Sequence, residues 1–351
     1  MDKARMEELL SAFPRLRIAV VGDFFLDKYL VIDRSLSEIS LETGLEAYQV
    51  VERRCSPGAA GTVTSNLSAL GARRLYAVGV IGDDGEGYEL RKGLLGLGAD
   101  IEHFLVLRDR FTPTYTKPML REGGREREIN RMDIKNRSPL PREAEDHIAQ
   151  ALYALLPKVD GIAVSDQVQE RNCGVITDRV REALAEMGQR YPEKPIVVDS
   201  RKRIGEFREV VLKPNRDEAA RAVYPGFEGE VDREMVLKCG RALRQRAGRP
   251  VFVTMGEDGV MVFDSGEPCH IPGFKVQGET DIVGAGDSVT AGVLLTLCAG
   301  GSPEEAAVVG NLVASITIQQ IGTTGTASPK QVLERFEEWQ IYERGAYREM
   351  P

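Results

Sequence analysis

Short runs rich in Val, Ile and Leu recur along the chain, and a stretch of helical periodicity separates each from the next. Leu16–Val21, Leu75–Val80, Gly161–Val164, Pro195–Val198 and Pro250–Thr254 read as buried strands, and Gly58–Leu70, Gly85–Leu97, Arg142–Leu156, Val175–Met187 and Asp232–Arg246 as helices. Strands that are apolar on both faces have no side to offer to water, so helices must cover them above and below. The alternation therefore predicts an α/β fold: three layers with a mostly parallel central sheet.

Two segments break the rhythm. Leu30–Arg53 and Thr114–Arg131 read as extended, partly polar strands, the second turning at Gly123-Gly124. Inserted into an α/β chain, they form a small β-lid over the C-terminal edge of the sheet, where such folds place ligands. As bare surface hairpins they would have no function. With 351 residues, the whole chain, 1–351, is expected to be one domain carrying this lid. Met1–Phe13 reads as an amphipathic opening helix. Ala306–Pro329, though uncharged, is interrupted by Asn311, Gln319 and Gln320, so its first half is a buried helix rather than a membrane span.

Composition excludes several functions. A net charge of −8 leaves no global positive field for a nucleic-acid backbone. The five cysteines are widely spaced and odd in number, which points to free thiols in a reducing cytosol. The three histidines (His103, His147, His270) have no metal-ligand spacing. No Gly-Lys pair exists for a Walker A loop, and Gly284-Ala-Gly286 does not extend to a dinucleotide fingerprint, because position 289 is Val.

The most informative segment is Asp281-Ile-Val-Gly-Ala-Gly-Asp287-Ser-Val-Thr-Ala-Gly292. Gly284, Ala285 and Gly286 leave backbone N–H groups uncovered where a helix, Ser288–Ala299, is expected to begin. That makes an anion site suited to a phosphoryl group in transfer. Asp287 beside it either takes the proton of an attacking hydroxyl or caps the helix. Asn215 and Glu218, three residues apart after Lys213-Pro214, suit hydrated Mg²⁺ and a nucleotide phosphate, or a capping box. Thr254-Met-Gly256-Glu-Asp-Gly259 offers a hydroxyl and open backbone after a strand, or a plain hairpin turn. Asp23 and Asp27 follow the first strand, spaced to reach polyol hydroxyls, with Asp23 the more structural of the two because it abuts the strand.

Taken together, these residues resemble the ribokinase-like (PfkB-type) carbohydrate kinases over nearly the full length. The Asp-x-Val-Gly-Ala-Gly-Asp segment matches their C-terminal signature, and Pro57-Gly58-Ala59-Ala60-Gly61 falls where their N-terminal one belongs. Within that family the chain is most similar to the D-glycero-β-D-manno-heptose 7-phosphate kinases, through Val21–Tyr29, Ile39–Glu42, Arg131-Met-Asp133, Val164-Ser-Asp166 and Ile321–Thr324.

The resemblance implies ATP and Mg²⁺, with Asp287 as base and Gly284, Ala285 and Gly286 as anion hole. It puts Asn215 and Glu218 at the phosphates and at water-bound Mg²⁺, Thr254, Gly256 and Gly259 at the nucleotide loop, and Asn311 beside the adenine. Asp27, Gly58, Thr62, Arg131, Asp199 and Arg201 fall at the acceptor, and a monovalent cation, K⁺, near Asp281. It also implies a homodimer through the lid. The second signature glycine is Ala59 here, Thr62 stands for an Asn, and Gln167-Val-Gln169 replaces the subgroup's Tyr and Lys after Ser-Asp. Arg201 or Arg131 would then supply the cation for an acceptor phosphate. No His-x-Gly-His motif of the subgroup's nucleotidyl-transferring domain occurs, so a kinase alone is expected. The rival readings are a PfkB-type kinase for a ketose, ribose, nucleoside or 2-keto-3-deoxy sugar acid, and a sugar- or nucleotide-binding regulator without turnover.

Overall fold

Alternate residues of the first strand, Arg17–Gly22, point to opposite sides of a central sheet. Ile18 and Val20 enter one core, and Ala19 and Val21 the other. The computed structural model, which describes residues 1–346, extends this into a ten-stranded sheet. Its spine runs Val251–Thr254, Val211–Leu212, Ile196–Ser200, Gly161–Asp166, Arg17–Gly22 and Arg74–Gly82, all paired in parallel. Ala99–Asp100 and Phe104–Leu107 extend the Arg74–Gly82 edge in parallel. Val260–Phe263 and Cys269–Ile271 complete the other edge as an antiparallel meander.

Helices Lys3–Ala12, Ala60–Ala69, Gly85–Gly96, Ala285–Cys298, Pro303–Thr317 and Pro329–Ala346 supply the core on one face. Arg142–Leu155, Asp178–Arg190, Arg216–Val223 and Arg233–Ala247 supply it on the other. This is the expected three-layer ribokinase-like sandwich. Among the described residues no helix is long and apolar enough to cross a membrane.

Several boundaries differ from the sequence expectation. Gly58 and Ala59 end a lid strand, so their helix starts at Ala60. The helix expected from Val175 begins at Asp178, where the Thr177 hydroxyl accepts the Val180 N–H. The short strands Ala99–Asp100, Phe104–Leu107, Val260–Phe263 and Cys269–Ile271 at the edges and Val211–Leu212 within the sheet differ from the sequence expectation, because two- to four-residue runs carry too little periodicity.

The lid is larger than 30–53 plus 114–131. It consists of Phe24–Ile39, Glu46–Ala59, Thr114–Glu122, Arg125–Glu128 and Met132–Ile134. Its first strand follows the core strand after a single residue, Asp23, and pairs antiparallel with Glu46–Ala59 and parallel with Thr114–Glu122. Asp27 is therefore a lid residue, in register with Tyr115 and Ser56. The lid's far end leaves Leu36, Ile39, Leu41, Leu45 and Tyr48 exposed.

Candidate active site

The C-terminal ends of the parallel strands open into a cleft of about 850 Å³. Its lining brings together Asp199, Arg201, Asn215, Glu218, Thr254, Gly256, Gly259, Gly284, Ala285, Gly286, Asp287 and Asn311, although these lie on many separate loops and helices.

At its centre the helix expected at Ser288 starts earlier, at Ala285, because Gly284 takes a left-handed conformation (φ 82°) and serves as N-cap. No side chain caps this helix. The Ala285 N–H bonds Ile282 and the Ser288 N–H bonds Gly284, while the N–H groups of Gly286 and Asp287 meet no acceptor among the described residues. These two donors sit at the positive end of the helix dipole and form an anion hole. Asp287 lies in the first turn without capping it, so the helix-cap alternative does not describe this residue. Burial first, then the neighbouring Asp199 carboxylate, push its pKa up to about 7, against the pull of Lys213 and Arg201. A carboxyl poised there can accept a hydroxyl proton at neutral pH.

A Cβ on Gly284 would lie 3.3 Å from the methyls of Thr62 and Thr324. Thr62, buried in the first turn of its helix, therefore packs on the Gly284 loop.

Asn215 and Glu218 form a true capping box: the Asn215 side chain accepts the Glu218 N–H and Glu218 Oε2 accepts the Asn215 N–H, both at 2.8 Å. The two readings of this pair are compatible, because Glu218 also lines the cleft with its other oxygen uncommitted. Burial and Asp199 raise the Glu218 pKa. The Asp199 carboxylate, also in the cleft lining, holds the buried Lys213 ammonium at 3.1 Å. Burial opposes the Lys213 charge, but the Asp199, Glu218 and Asp287 carboxylates outweigh it and raise its pKa. One lysine faces three carboxyls, an excess of negative charge that a divalent cation would offset. Among the described residues no group of three or more His, Cys, Asp or Glu side chains is placed to hold a metal ion by itself.

Elsewhere in the lining, Thr254–Gly259 is a hairpin whose Gly256 and Gly259 have φ of 65° and 89°. A Cβ on Gly259 would meet the Ile271 oxygen at 2.2 Å. Asn311 donates to the carbonyls of Ile271 and Pro272 at 3.2 and 3.1 Å, so it braces the cleft wall with its amide nitrogen. Asp281 turns away from the cleft, where its Oδ1 accepts the Val283 N–H at 3.0 Å.

Across the cleft, the lid contributes Asp27, which sequence reasoning found, and Lys117, Tyr29 and Tyr115, which it missed. Asp27 is 7% exposed and pairs with Lys117 at 3.3 Å; Lys117 donates to the Tyr29 hydroxyl at 3.2 Å. Burial raises the Asp27 pKa, held back by Lys117 and Arg131. A Cβ on Gly58 would stand 2.3 Å from Asp27 Oδ2, so only glycine fits beneath this carboxylate. The next residue, Ala59, sits at φ 53°, ψ −115°, a conformation that costs a non-glycine residue about 1–3 kcal/mol. Arg131 is tied to Asp133 and stacked 4.1 Å from the Tyr115 ring; it reaches the acceptor side as a rim charge and does not line the cleft. Arg201 does line it, anchored by Nε to Gln167 at 2.6 Å. In the parallel pair, Tyr115 and Lys117 share the face of Asp27 and Tyr29.

Asp23 is structural. Its carboxylate accepts the N–H groups of Gln167, Val168 and Val175 at 2.8, 2.9 and 2.7 Å.

Comparison with known proteins agrees with this geometry. Residues 26–331 match the model of the pfkB family carbohydrate kinases. The chain is 31% identical over 310 residues to the bifunctional protein HldE of Gluconobacter oxydans (strain 621H), covering 88% of this chain and 62% of that protein. It is 31% identical over 340 residues to the HldE of Geotalea uraniireducens (strain Rf4), covering 95% and 65%. The chain thus spans less than two thirds of these curated relatives. Among solved structures it is similar to phosphofructokinase-2 from Escherichia coli (TM-score 0.71, 17% identity, 92% of this chain and 99% of that one). A ribokinase from Arabidopsis thaliana, complexed with ribose and ATP, gives TM-score 0.66 at 18% identity, covering 91% and 98%. The family match over residues 26–331 shows that the chain belongs to the pfkB family of carbohydrate kinases.

Proposed function

We propose that the acceptor is D-glycero-D-manno-heptose 7-phosphate, phosphorylated at its 1-hydroxyl. The observation that carries the reading is Asp287 itself: a carboxyl with pKa about 7 and no protein donor, placed beside two unengaged backbone N–H groups. The attacking hydroxyl gives its proton to Asp287 as its oxygen bonds the γ-phosphorus. The bond from that phosphorus to the bridging oxygen breaks, and ADP leaves. The N–H groups of Gly286 and Asp287 meet the charge on the transferring group, and Lys213 adds a buried positive charge nearby. Mg²⁺, when bound, neutralises the phosphates, and Glu218 would hold it through water.

Asp27 and Gly58 would receive the sugar hydroxyls, with Lys117 keeping the Asp27 carboxylate charged. Arg201 and Arg131 stand at the acceptor side and supply positive charge for a sugar phosphate; both help lower the pKa of Tyr115 against its burial. HldE relatives at about 31% identity support this acceptor. Potassium near Asp281 is supported by the likeness to phosphofructokinase-2 from Escherichia coli, a structure in complex with potassium. The exposed apolar end of the lid supports a homodimer, and a monomer in sedimentation at micromolar concentration would overturn that part. Five free cysteines support a cytosolic setting.

The test is ADP release with the heptose 7-phosphate, the free heptose, and a panel of ketoses, ribose, nucleosides and sugar acids. A preference of tenfold or more in kcat/KM for the heptose 7-phosphate is expected. Equal turnover of the phosphorylated and free sugar would leave an unphosphorylated acceptor. No turnover with any compound would favour a binding regulator.

A further inference from the structure

The cleft occupies the C-terminal rim of the sheet, and the opposite rim has a hollow of its own. It measures about 500 Å³ and is lined by four arginines, Arg15, Arg17, Arg73 and Arg74, with Tyr76 and a single carboxylate, Asp160. Arg17 and Arg74 open neighbouring parallel strands and stand directly in register. Like charges so placed repel and weaken a sheet.

Carboxylates offset part of this repulsion. Asp160 takes the Arg17 side chain at 3.3 and 3.1 Å and its backbone N–H at 2.7 Å. Asp100 takes Arg74 at 2.8 Å, and the Arg74 guanidinium lies 5.2 Å from the Tyr76 ring. Arg15 and Arg73 are exposed, and among the described residues neither has an ion-pair or side-chain hydrogen-bond partner. Four cations thus converge on a concave surface in a chain whose net charge is −8.

We propose that this hollow is a binding site for a small molecule bearing a diphosphate group, held chiefly by Arg15 and Arg73. A guanidinium presents paired N–H donors on a rigid plane that match phosphate oxygens. Two uncommitted guanidiniums on one concavity suit two linked phosphates better than a single carboxylate. A bound dianion or trianion would also relieve the Arg17–Arg74 repulsion, so binding and sheet stability are coupled. The site lies on the far rim from the phosphoryl-transfer cleft and draws on none of its residues.

Inorganic pyrophosphate is the probe, and hydrogen exchange of the intact chain read by mass spectrometry is the measurement. Pyrophosphate is expected to slow exchange in peptides covering residues 13–18 and 72–77 as well as in the cleft segment around residue 286. In Arg15→Ala/Arg73→Ala the rim protection should need at least tenfold more pyrophosphate, while cleft protection and, in pyrophosphate-free buffer, kcat/KM for ATP stay within twofold of wild type. ADP in place of pyrophosphate distinguishes the sources: rim protection by ADP assigns the site to nucleotides, and protection by pyrophosphate alone to the free diphosphate. Protection confined to the cleft, or rim protection equal in the double variant and the wild type, overturns the proposal.

Discussion

Asp23 is a buried carboxyl and Asp287 a half-buried one near the same rim of the sheet, and both have raised pKa values. Burial is the leading cause for each, followed by a neighbouring carboxylate: Asp166 for Asp23, pushed up to about 6, and Asp199 for Asp287, pushed up to about 7. Their surroundings differ in one respect. Asp23 accepts three backbone N–H groups, which pull its pKa back down and fasten the 167–175 loop to the first strand. Among the described residues no donor reaches the Asp287 carboxylate, whose lone pairs face the cleft. Burial alone therefore does not mark a base; a carboxyl with a raised pKa whose oxygens open on a cleft and meet no protein donor does.

The sharpest test of that contrast is kinetic. Asp287→Asn should lower kcat by roughly 10²–10⁴-fold with the KM for ATP little changed, because a general base contributes on that scale. More than a tenth of the activity retained would place Asp287 with Asp23 as a structural acid. In the other direction, Asp23→Ala leaves three backbone donors without their acceptor. At about 1 kcal/mol or more for each, it should lose about 3 kcal/mol of stability in denaturant unfolding. Below its melting range the same variant should keep kcat within tenfold of wild type, and a hundredfold loss would bring Asp23 into the chemistry.

A pH profile separates the two acids further. Protonated Asp287 cannot accept a proton, so kcat/KM should fall about tenfold per pH unit below a midpoint near 7. A midpoint near 4 would mean that the cleft does not raise this carboxyl. The smallest effect is on stability. A carboxyl whose folded pKa exceeds its unfolded value holds its proton more tightly in the native state. Its contribution is complete below the ordinary carboxylate range and is lost as pH rises to about 6 for Asp23 and about 7 for Asp287. Asp287→Asn should therefore raise the melting temperature by a few degrees at pH 8 and by less at pH 5. An equal gain at both pH values would break the assignment.

The sheet and its cover were legible because apolar runs and helical periods are local. The Asp281–Asp287 loop was equally legible, since glycines before an apolar helix expose backbone donors wherever they occur. Glu218 could be read only as two alternatives, because a capping box and a cleft-facing carboxylate use the same spacing and differ only in where the second oxygen points. Lys117 was hidden for another reason. Its partner Asp27 is set by the pairing of strands from distant parts of the chain, and no window of sequence contains both. The pairing of Asp199 with Lys213 escaped in the same way, since adjacent parallel strands bring them together. Arg131 read as a cleft cation because its tether to Asp133 and Tyr115 depends on how the last lid strand folds back.

The parallel lid pairing has a consequence for the order of folding. Tyr29 and Lys117 meet across 88 residues of sequence, and between them run two core helices and three strands of the central sheet. Closing so long a loop is slow unless the intervening chain has already compacted, since non-local contacts form late. The same holds for the body, since Ile18 pairs with Gly161 across a still longer span, so loop length alone gives neither region precedence. During synthesis the lid strands, all within residues 24–134, emerge before Gly161–Asp166, so the lid has its whole sequence available before the first core strand has both neighbours.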